Sequence, residues 1–484
     1  MRDRHLQALA GIVVLAAALR FPTLDAQSYW VDEAVTATLL DQGLGDMLAD
    51  VPDSESTPPL YYALAWLWSK LFGLGEAGLR SLSALVGTAA AVAAYAGGRA
   101  LVSSRAGLAA AALVATNPLL VWYSQEARAY SLLVLFAALS IPLAARAERA
   151  AGRALAGWGA VCALALATHY FAVFVVVPQA LWLLWRRRDR ITAAAVALPG
   201  AAGIALLPLA VGQAENQGAN FIETDALGFR LAQVPKQMLV GFDAPAEVAI
   251  GIAAGLLALA GGWLLVTALA AEERRGALTA AGLAAAAIGV PVALAATGID
   301  YLITRNLIAA LPALLIALGA GFASRRAGVA AAAALCALSA LVVVWVAAEP
   351  RYQRDDWRGA AEALGPALAD RVIVVTPSEG GVALRPYLPG IEPLQPEGAT
   401  VASEGVIGIG RRVSGQAPTP PRPEAPVAPP NLPELARRVE ETTFTVLVWS
   451  APGPVFLNQG GAETAKLVPE PAAVLLQRAK SEAR

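Results

Sequence analysis

Charge is what this chain has least of. Asp, Glu, Lys and Arg supply 15% of its 484 residues, against roughly 25% in an average soluble domain, while 57% are apolar and the mean hydropathy is +0.56. That balance excludes an ordinary soluble protein and implies a polytopic membrane protein. Cysteine is nearly absent: Cys162 and Cys336 both sit inside apolar runs, where free Cys behaves as a small hydrophobe, so neither a disulfide framework nor a zinc site is indicated. His5 and His169 are the two histidines, too few for a His-based metal site. A fixed-period repeat is also missing. The net charge of -1 conceals a distribution that matters more than the sum, and no nucleic-acid partner is expected.

What is present is a series of Ala- and Gly-rich apolar runs. The first, Leu6 to Leu19, follows Arg2 and Arg4 and has the length of a signal-peptide core. Without an A-x-A-like site followed by a soluble domain it reads as a membrane span instead. Spans are expected near 6–21, 80–98, 106–122, 130–145, 154–168, 170–185, 191–212, 246–270, 277–297, 303–322 and 327–347, eleven in all, each near the length that crosses about 30 Å of hydrocarbon. With a cytoplasmic N-terminus the inner loops are 97–105, 146–153, 186–190, 272–275 and 324–326. Each holds at least two arginines, as the positive-inside rule requires of a plasma-membrane protein. The C-terminal tail then lies outside.

The outer face carries long loops at 22–79 and 213–245 and short ones at 123–129, 168–171 and 298–302. Pro58 to Gly73, "PPLYYALAWLWSKLFG", is apolar and rich in Trp and Tyr, but one more span there would invert every later arginine loop. It is expected as a helix lying in the interface. The transmembrane domain is thus 1–348, and 349–484 forms a small extracytoplasmic α/β domain. In it "DDWRGAAEAL" and "GVALRPYL" suggest helices, and "RVIVVTP", "GVIGIG" and "TFTVLVWS" strands. The Pro-rich Gln416 to Leu432 reads as an extended linker or loop.

Unusual polar residues gather on the outer side: Asp32 and Glu33 in "YWVDEAVT", Glu126 and Arg128 in "WYSQEARAYSL", His169 and Tyr170 in "ATHYFAVF", and Arg305 in "DYLITRNLIAALP". Each has a plain structural explanation. Asp32 stands where it can cap the next helix, Glu126 and Arg128 suit an interfacial ion pair, and His169 a helix end. Ionisable groups beside membrane spans nevertheless cost several kcal/mol unless they are paired or line a wet cavity, and four such places on one face argue for a shared cavity.

The ordered set "WVDEA", "TPPLYY", "GLRSLSAL", "NPLLVWYSQEARAYSL", "THYFAVF" and "TRNLIAALPALL" resembles the GT-C membrane glycosyltransferases, in particular the bacterial group similar to protein O-mannosyltransferases and lipid A aminoarabinose transferases. The resemblance covers about residues 6–390. It implies an inverting transferase that moves a sugar from a polyprenyl-phosphate donor to an acceptor hydroxyl on a cell-envelope glycan, lipid or protein at the outer membrane face. Asp32 matches the family's catalytic aspartate and is the expected general base, Glu33 orients the acceptor or caps the helix, and Glu126 matches a second acid. Arg128 and Arg305, with Arg80 and Lys236 as weaker candidates, are expected at the donor phosphate, and His169 and Tyr170 at the sugar or phosphate. Where the family often has His before "PPLYY" this chain has Thr57, so no His role, metal binding included, carries over to that place. No cofactor is expected to be required. A divalent ion would have to rely on Asp32, Glu126 and a phosphate as oxygen ligands. The competing reading is a transporter or lipid flippase, which predicts charges or broken helices at the bilayer midplane and internal repeats.

Overall fold

The computed structural model describes residues 2–150, 152–215, 222, 225–410 and 418–479. Residues 216–221 and 223–224 of the expected second long outer loop, and 416–417 of the Pro-rich segment, lie outside the described residues. By its contacts the chain divides into two units: Met1–Leu24 with Gln42–Trp345, and Asp25–Asp41 with Val346–Arg484.

The first unit is helical. Every expected span contains a helix, and among the described residues seven are long and apolar enough to cross a membrane: Glu76–Leu101, Tyr130–Arg149, Arg190–Glu215, Glu247–Thr267, Ala271–Ala296, Thr304–Ala323 and Arg326–Ala348. An eighth is the pair Ser104–Thr116 and Pro118–Ser124, bent by 59°. Arg2–Ala18, Arg153–Thr168 and Val173–Arg187 have 17, 16 and 15 residues, fewer than the ~20 that a perpendicular crossing takes. Leu60–Phe72, with 13 residues, is a helix where one was expected and is too short to span. It buries Tyr61, Tyr62 and Ala65 and exposes Leu67, Leu71 and Phe72.

The bend has a physical cause. Pro118 opens the second half and has no N–H, so the carbonyl of Val114 loses its usual helical donor. Arg20, completely buried, replaces it: its Nη2 donates to Val114 O at 3.2 Å, its Nη1 to Ala115 O at 2.7 Å and Ala16 O at 3.1 Å, and its Nε to Ser124 Oγ at 3.1 Å. Asn117 caps the new turn, its Oδ1 accepting from Leu120 N while its Nδ2 donates to Met238 O. Helix Glu76–Leu101 passes this cluster at Gly87, where a Cβ would stand 2.1 Å from Ser124 Oγ.

Among the described residues the second unit holds a six-stranded mixed sheet. Its strands are β1 (Arg371–Thr376), β2 (Ile391–Pro393), β3 (Ala399–Ile409), β4 (Glu434–Glu440), β5 (Phe444–Leu457) and β6 (Ala473–Gln477), in the order β2-β6-β1-β3-β5-β4. Only β1 and β3 run parallel among the paired strands. All six residues of β1 are buried because both faces are covered. Ile373 and Val375 pack with helix Trp357–Leu364 on one side, and Val372 and Val374 pack with Leu432, Ala462 and Ala465 on the other. Leu432 is fully buried, so the end of the Pro-rich segment belongs to the core despite its loop-like composition. The expected helix at "GVALRPYL" is reduced to Gly380–Ala383 followed by turns. β2, β4 and β6 were not anticipated.

Glu404 breaks this pattern. On β3, between Val372 of β1 and Trp449 of β5, it is completely buried. Among the described residues neither carboxyl oxygen has a hydrogen-bond partner, nor does Trp449 Nε1. Burial pushes its carboxyl up to about 9. The folded state therefore keeps a proton that the unfolded chain releases near pH 4.5, and stability falls as pH rises between those limits.

Two outcomes are expected from thermal unfolding of the full-length chain in detergent. Glu404→Leu raises the midpoint, by more at about pH 8 than at about pH 5; an equal gain at both would remove the buried acid from the account. Arg20→Leu strands helix carbonyls at the bend and lowers stability by about 2 kcal/mol or more; an unchanged midpoint would show that the bend is held by other contacts.

Candidate active site

The bend at Pro118 delivers the turn 124–129. Gln125 Nε2 ties it to Arg20 O at 3.0 Å and Thr23 Oγ1 at 2.7 Å, and Arg128 N donates to Glu126 O at 2.8 Å. Glu126 and Arg128 are both buried. Arg128 Nη1 donates to both oxygens of Glu55, at 2.8 and 2.7 Å, and its guanidinium lies over the Tyr62 ring, 5.9 Å from the centroid. Tyr62 in turn shares a 2.8 Å hydrogen bond with Thr57 Oγ1. Thr57, where the family often has His, is therefore part of the packing around the Glu55–Arg128 pair.

Beside this lies a cavity of about 270 Å³ lined by Ser56, Thr57, Tyr130, His169, Tyr170, Phe171, Gln213, Ile222, Tyr301, Ile303 and Arg305 among others. Three of the residues singled out in the sequence, His169, Tyr170 and Arg305, converge on it. His169 sits at the break between helices Arg153–Thr168 and Val173–Arg187, its Nδ1 accepting from Phe171 N at 3.3 Å. That assigns the ring proton to Nε2. Burial, with Arg128 and Arg305 adding to it, pushes the imidazole down to about 3, so it is a neutral donor at physiological pH. The Tyr170 hydroxyl donates to Gln213 Oε1 at 2.7 Å, and Gln213 Nε2 reaches Val51 O and Thr57 O at 3.1 and 3.3 Å. Burial pushes the Tyr170 hydroxyl up to about 12.

The segment carrying Arg305 is fixed by Asp300, which receives Arg230 Nη1 at 2.8 Å and Nη2 at 2.5 Å. Arg230 Nη1 also donates to Leu302 O; the Arg230 bonds to Asp300, with Leu302 N donating to its Oδ1 at 3.0 Å, hold the Asp300 carboxyl below its usual range. Glu126, Arg128, Arg80 and Lys236 are not among the cavity's lining residues. Arg80, buried, donates to Leu24 O at 2.8 Å. Lys236 pairs with Glu247 at 2.9 Å and donates to Phe242 O.

Asp32 and Glu33 belong to the second unit. Helix Val31–Leu40 begins one residue before Asp32, with Trp30 as N-cap and no side-chain capping bond, so Asp32 is not the cap that its spacing suggested. Its carboxylate occupies the first turn, where the helix dipole favours negative charge. Glu33 is completely buried. The preceding residues are stitched to the start of the C-terminal domain: Ser28 Oγ donates to Asp355 O at 2.8 Å and accepts from Trp357 N at 3.0 Å, Gln27 Oε1 accepts from Arg354 N at 2.9 Å, and Tyr29 N donates to the Tyr387 hydroxyl at 2.6 Å. Glu55, Gln213 and Arg20 escaped the sequence reading. Glu55, two residues before "TPPLYY", had the best available signal. Among the described residues no three of His, Cys, Asp and Glu come together as a metal-binding group.

The described residues form a helical membrane bundle with a polar cavity and a small mixed-sheet domain. Residues 56–211 match the family described as dolichyl-phosphate-mannose-protein mannosyltransferase. The crystal structure of ArnT from Cupriavidus metallidurans in the apo state aligns over 78% of this chain and 84% of that one, with 15% identity and a TM-score of 0.53. ArnT from the same organism bound to undecaprenyl phosphate aligns over 65% and 59%, at 18% identity and a TM-score of 0.46. The Archaeoglobus fulgidus oligosaccharyltransferase in the apo form aligns over 74% and 57%, at 13% identity and 0.48. In these last two the chain spans less than two thirds of the protein it is compared with. Comparison with curated protein sequences finds no match. The chain is a multi-pass membrane protein with an ArnT-like GT-C fold, and it resembles the protein O-mannosyltransferase group as its motifs suggested.

The Glu55–Arg128 pair makes a direct test. Arg128→Gln leaves a buried carboxylate unpaired and is expected to cost about 3 kcal/mol, while Glu55→Gln/Arg128→Gln recovers much of the loss. A double variant as unstable as the single one would show that the two side chains are not coupled.

Proposed function

We propose that the chain is an inverting glycosyltransferase that takes a sugar from a polyprenyl-phosphate donor and passes it to an acceptor hydroxyl at the extracytoplasmic face of the plasma membrane. The observation that carries this reading is the convergence of Arg305, a neutral His169 and the Tyr170–Gln213 pair on one cavity with apolar walls of Phe171, Ile222 and Ile303. Such a lining suits a sugar phosphate on an isoprenoid lipid: a cation for the phosphate, neutral donors for sugar hydroxyls, and apolar surface for the first prenyl carbons. The match of residues 56–211 to a family named for a dolichyl-phosphate sugar supports the same donor class.

In the proposed reaction the acceptor oxygen attacks the anomeric carbon as the bond from that carbon to the phosphate oxygen breaks. Polyprenyl phosphate leaves with the electron pair, and Asp32 takes the acceptor's proton. Arg305 bears the charge that develops on the leaving phosphate, with Arg128 contributing at longer range. His169 donates through Nε2–H, and Glu33 and Glu126 orient the acceptor side. Positive charge comes from arginine, so the reading requires no metal ion. Arg80 and Lys236 are assigned to holding their own segments. The acceptor is a cell-envelope glycan, lipid or protein.

In a transfer assay with radiolabelled polyprenyl-phosphate sugars and membrane extract as acceptor, Asp32→Asn is expected to lower turnover about 100-fold or more, and Arg305→Gln to weaken donor binding. Because His169 stays neutral down to about pH 3, His169→Gln lowers the rate without moving the pH profile between about pH 5 and 8. Undiminished turnover in Asp32→Asn would remove the base. No transfer from any donor by folded protein would remove the enzyme class.

A further inference from the structure

A second and larger cavity, of about 940 Å³, lies at the other end of the same bundle. One helix lines both sites, and two more connect the second cavity to segments that line the first. Tyr130–Arg149 contributes Tyr130 to the first cavity and Glu148 and Arg149 to the second. Val173–Arg187 follows Phe171 and ends in Trp182, Trp185 and Arg186; Ala271–Ala296 starts with Glu272, Glu273 and Arg275 and leads to Tyr301. A 20-residue helix is about 30 Å long, so the two cavities stand roughly a bilayer's hydrocarbon thickness apart. Close contact builds the second one: a Cβ on Gly276 would fall 1.9 Å from Leu101 O, which holds helix Ala271–Ala296 against the end of Glu76–Leu101.

The charges in this cavity are balanced in sign but not mutually consumed. Arg186 is taken by Glu148, Nε to Oε1 at 2.6 Å, and stacks over the Trp185 ring at 5.7 Å. Arg149 donates one bond, to Ala100 O at 3.1 Å. Among the described residues the side chains of Arg275, Glu272 and Glu273 have no hydrogen-bond or ion-pair partner. Around one solvent-open space stand two guanidinium groups, of which Arg149 also bonds Ala100 O, and two carboxylates; Arg149, Glu272 and Arg275 are exposed, with Trp185 65% and Leu278 50% exposed beside them. An anion alone would leave the carboxylates facing it, and a cation alone the arginines. The fitting ligand carries both charges, has an apolar body and enters from the bilayer interface, where Trp is favoured.

We propose that this cavity binds the headgroup of a phosphoethanolamine phospholipid. Arg275 and Arg149 hold the phosphate by charge-assisted hydrogen bonds, Glu272 and Glu273 accept from the primary ammonium, and Trp182 and Leu278 line the path of the acyl chains. The arginine distribution puts this lipid in the cytoplasmic leaflet. A quaternary ammonium has no N–H to give the carboxylates, so a choline headgroup is disfavoured. The site is independent of the transfer reaction proposed above, because none of its residues lines the other cavity.

The test is native mass spectrometry of full-length, delipidated protein in detergent. It is titrated with phosphatidylethanolamine, phosphatidylglycerol and phosphatidylcholine of matched acyl chains. Phosphatidylethanolamine is expected to bind at least fivefold more tightly than either other lipid. Arg275→Gln and Glu273→Gln are each expected to abolish that preference, with an unchanged thermal midpoint as the folding control; Arg275→Lys, which keeps the charge, retains part of it. Equal binding of the three lipids, preference for phosphatidylglycerol, or a preference that survives both neutralising variants would overturn the proposal.

Discussion

A proline inside a membrane helix frees a carbonyl that has no water to turn to, and the rest of the first unit is arranged around meeting that demand. Pro118 takes the donor from Val114, and Arg20 supplies a replacement while also bonding Ala115 and Ser124. The cost of burying a guanidinium is offset by occupying it with four acceptors. Once this anchor is in place the helix bends, and the turn after Ser124 is aimed rather than merely exposed. Glu126 and Arg128 owe their positions to it.

Charge within the bundle follows the same logic at the candidate site. Arg128 is matched by Glu55 and Arg230 by Asp300, so two of the arginines near the cavity have carboxylate partners, while Arg305 lines the cavity itself. His169 is held neutral by burial and by the arginines near it. Among the described residues that line it, the Arg305 guanidinium stands beside several neutral polar side chains, a lining suited to a ligand with a compact negative charge and hydroxyl groups. Lys236, a candidate for the same task, is instead consumed by Glu247 and the Phe242 carbonyl.

The C-terminal domain acquires a role that its composition did not suggest. The run "DDWRGAAEAL" reads as a helix, and the backbone of Arg354, Asp355 and Trp357 at its start bonds the side chains of Gln27 and Ser28, while Val31 packs against the same apolar cluster as Trp357. Asp32 is therefore carried by a segment whose backbone is fixed by residues more than 300 positions later. Glu404, a fully buried acid, shows that this small domain tolerates a local penalty in return for nothing the described residues display.

Hydropathy and arginine spacing determined that the chain is a multi-pass helical membrane protein, because apolar run length and loop charge are local properties that need no partner. Short β-branched apolar runs likewise marked β1, β3 and β5, and the order of short motifs marked His169, Tyr170 and Arg305. Tertiary structure alone decided the rest. β4, with its run "ELARRVE", is a strand only because β5 offers it an edge; Leu432 is core only because the sheet needs a cover. Glu55 and Gln213 join the site through contacts 73 and 43 residues away in the chain, and no local pattern encodes which buried carboxylate an arginine will find. Sequence determined which residues are costly to bury, and the fold decided who satisfies them.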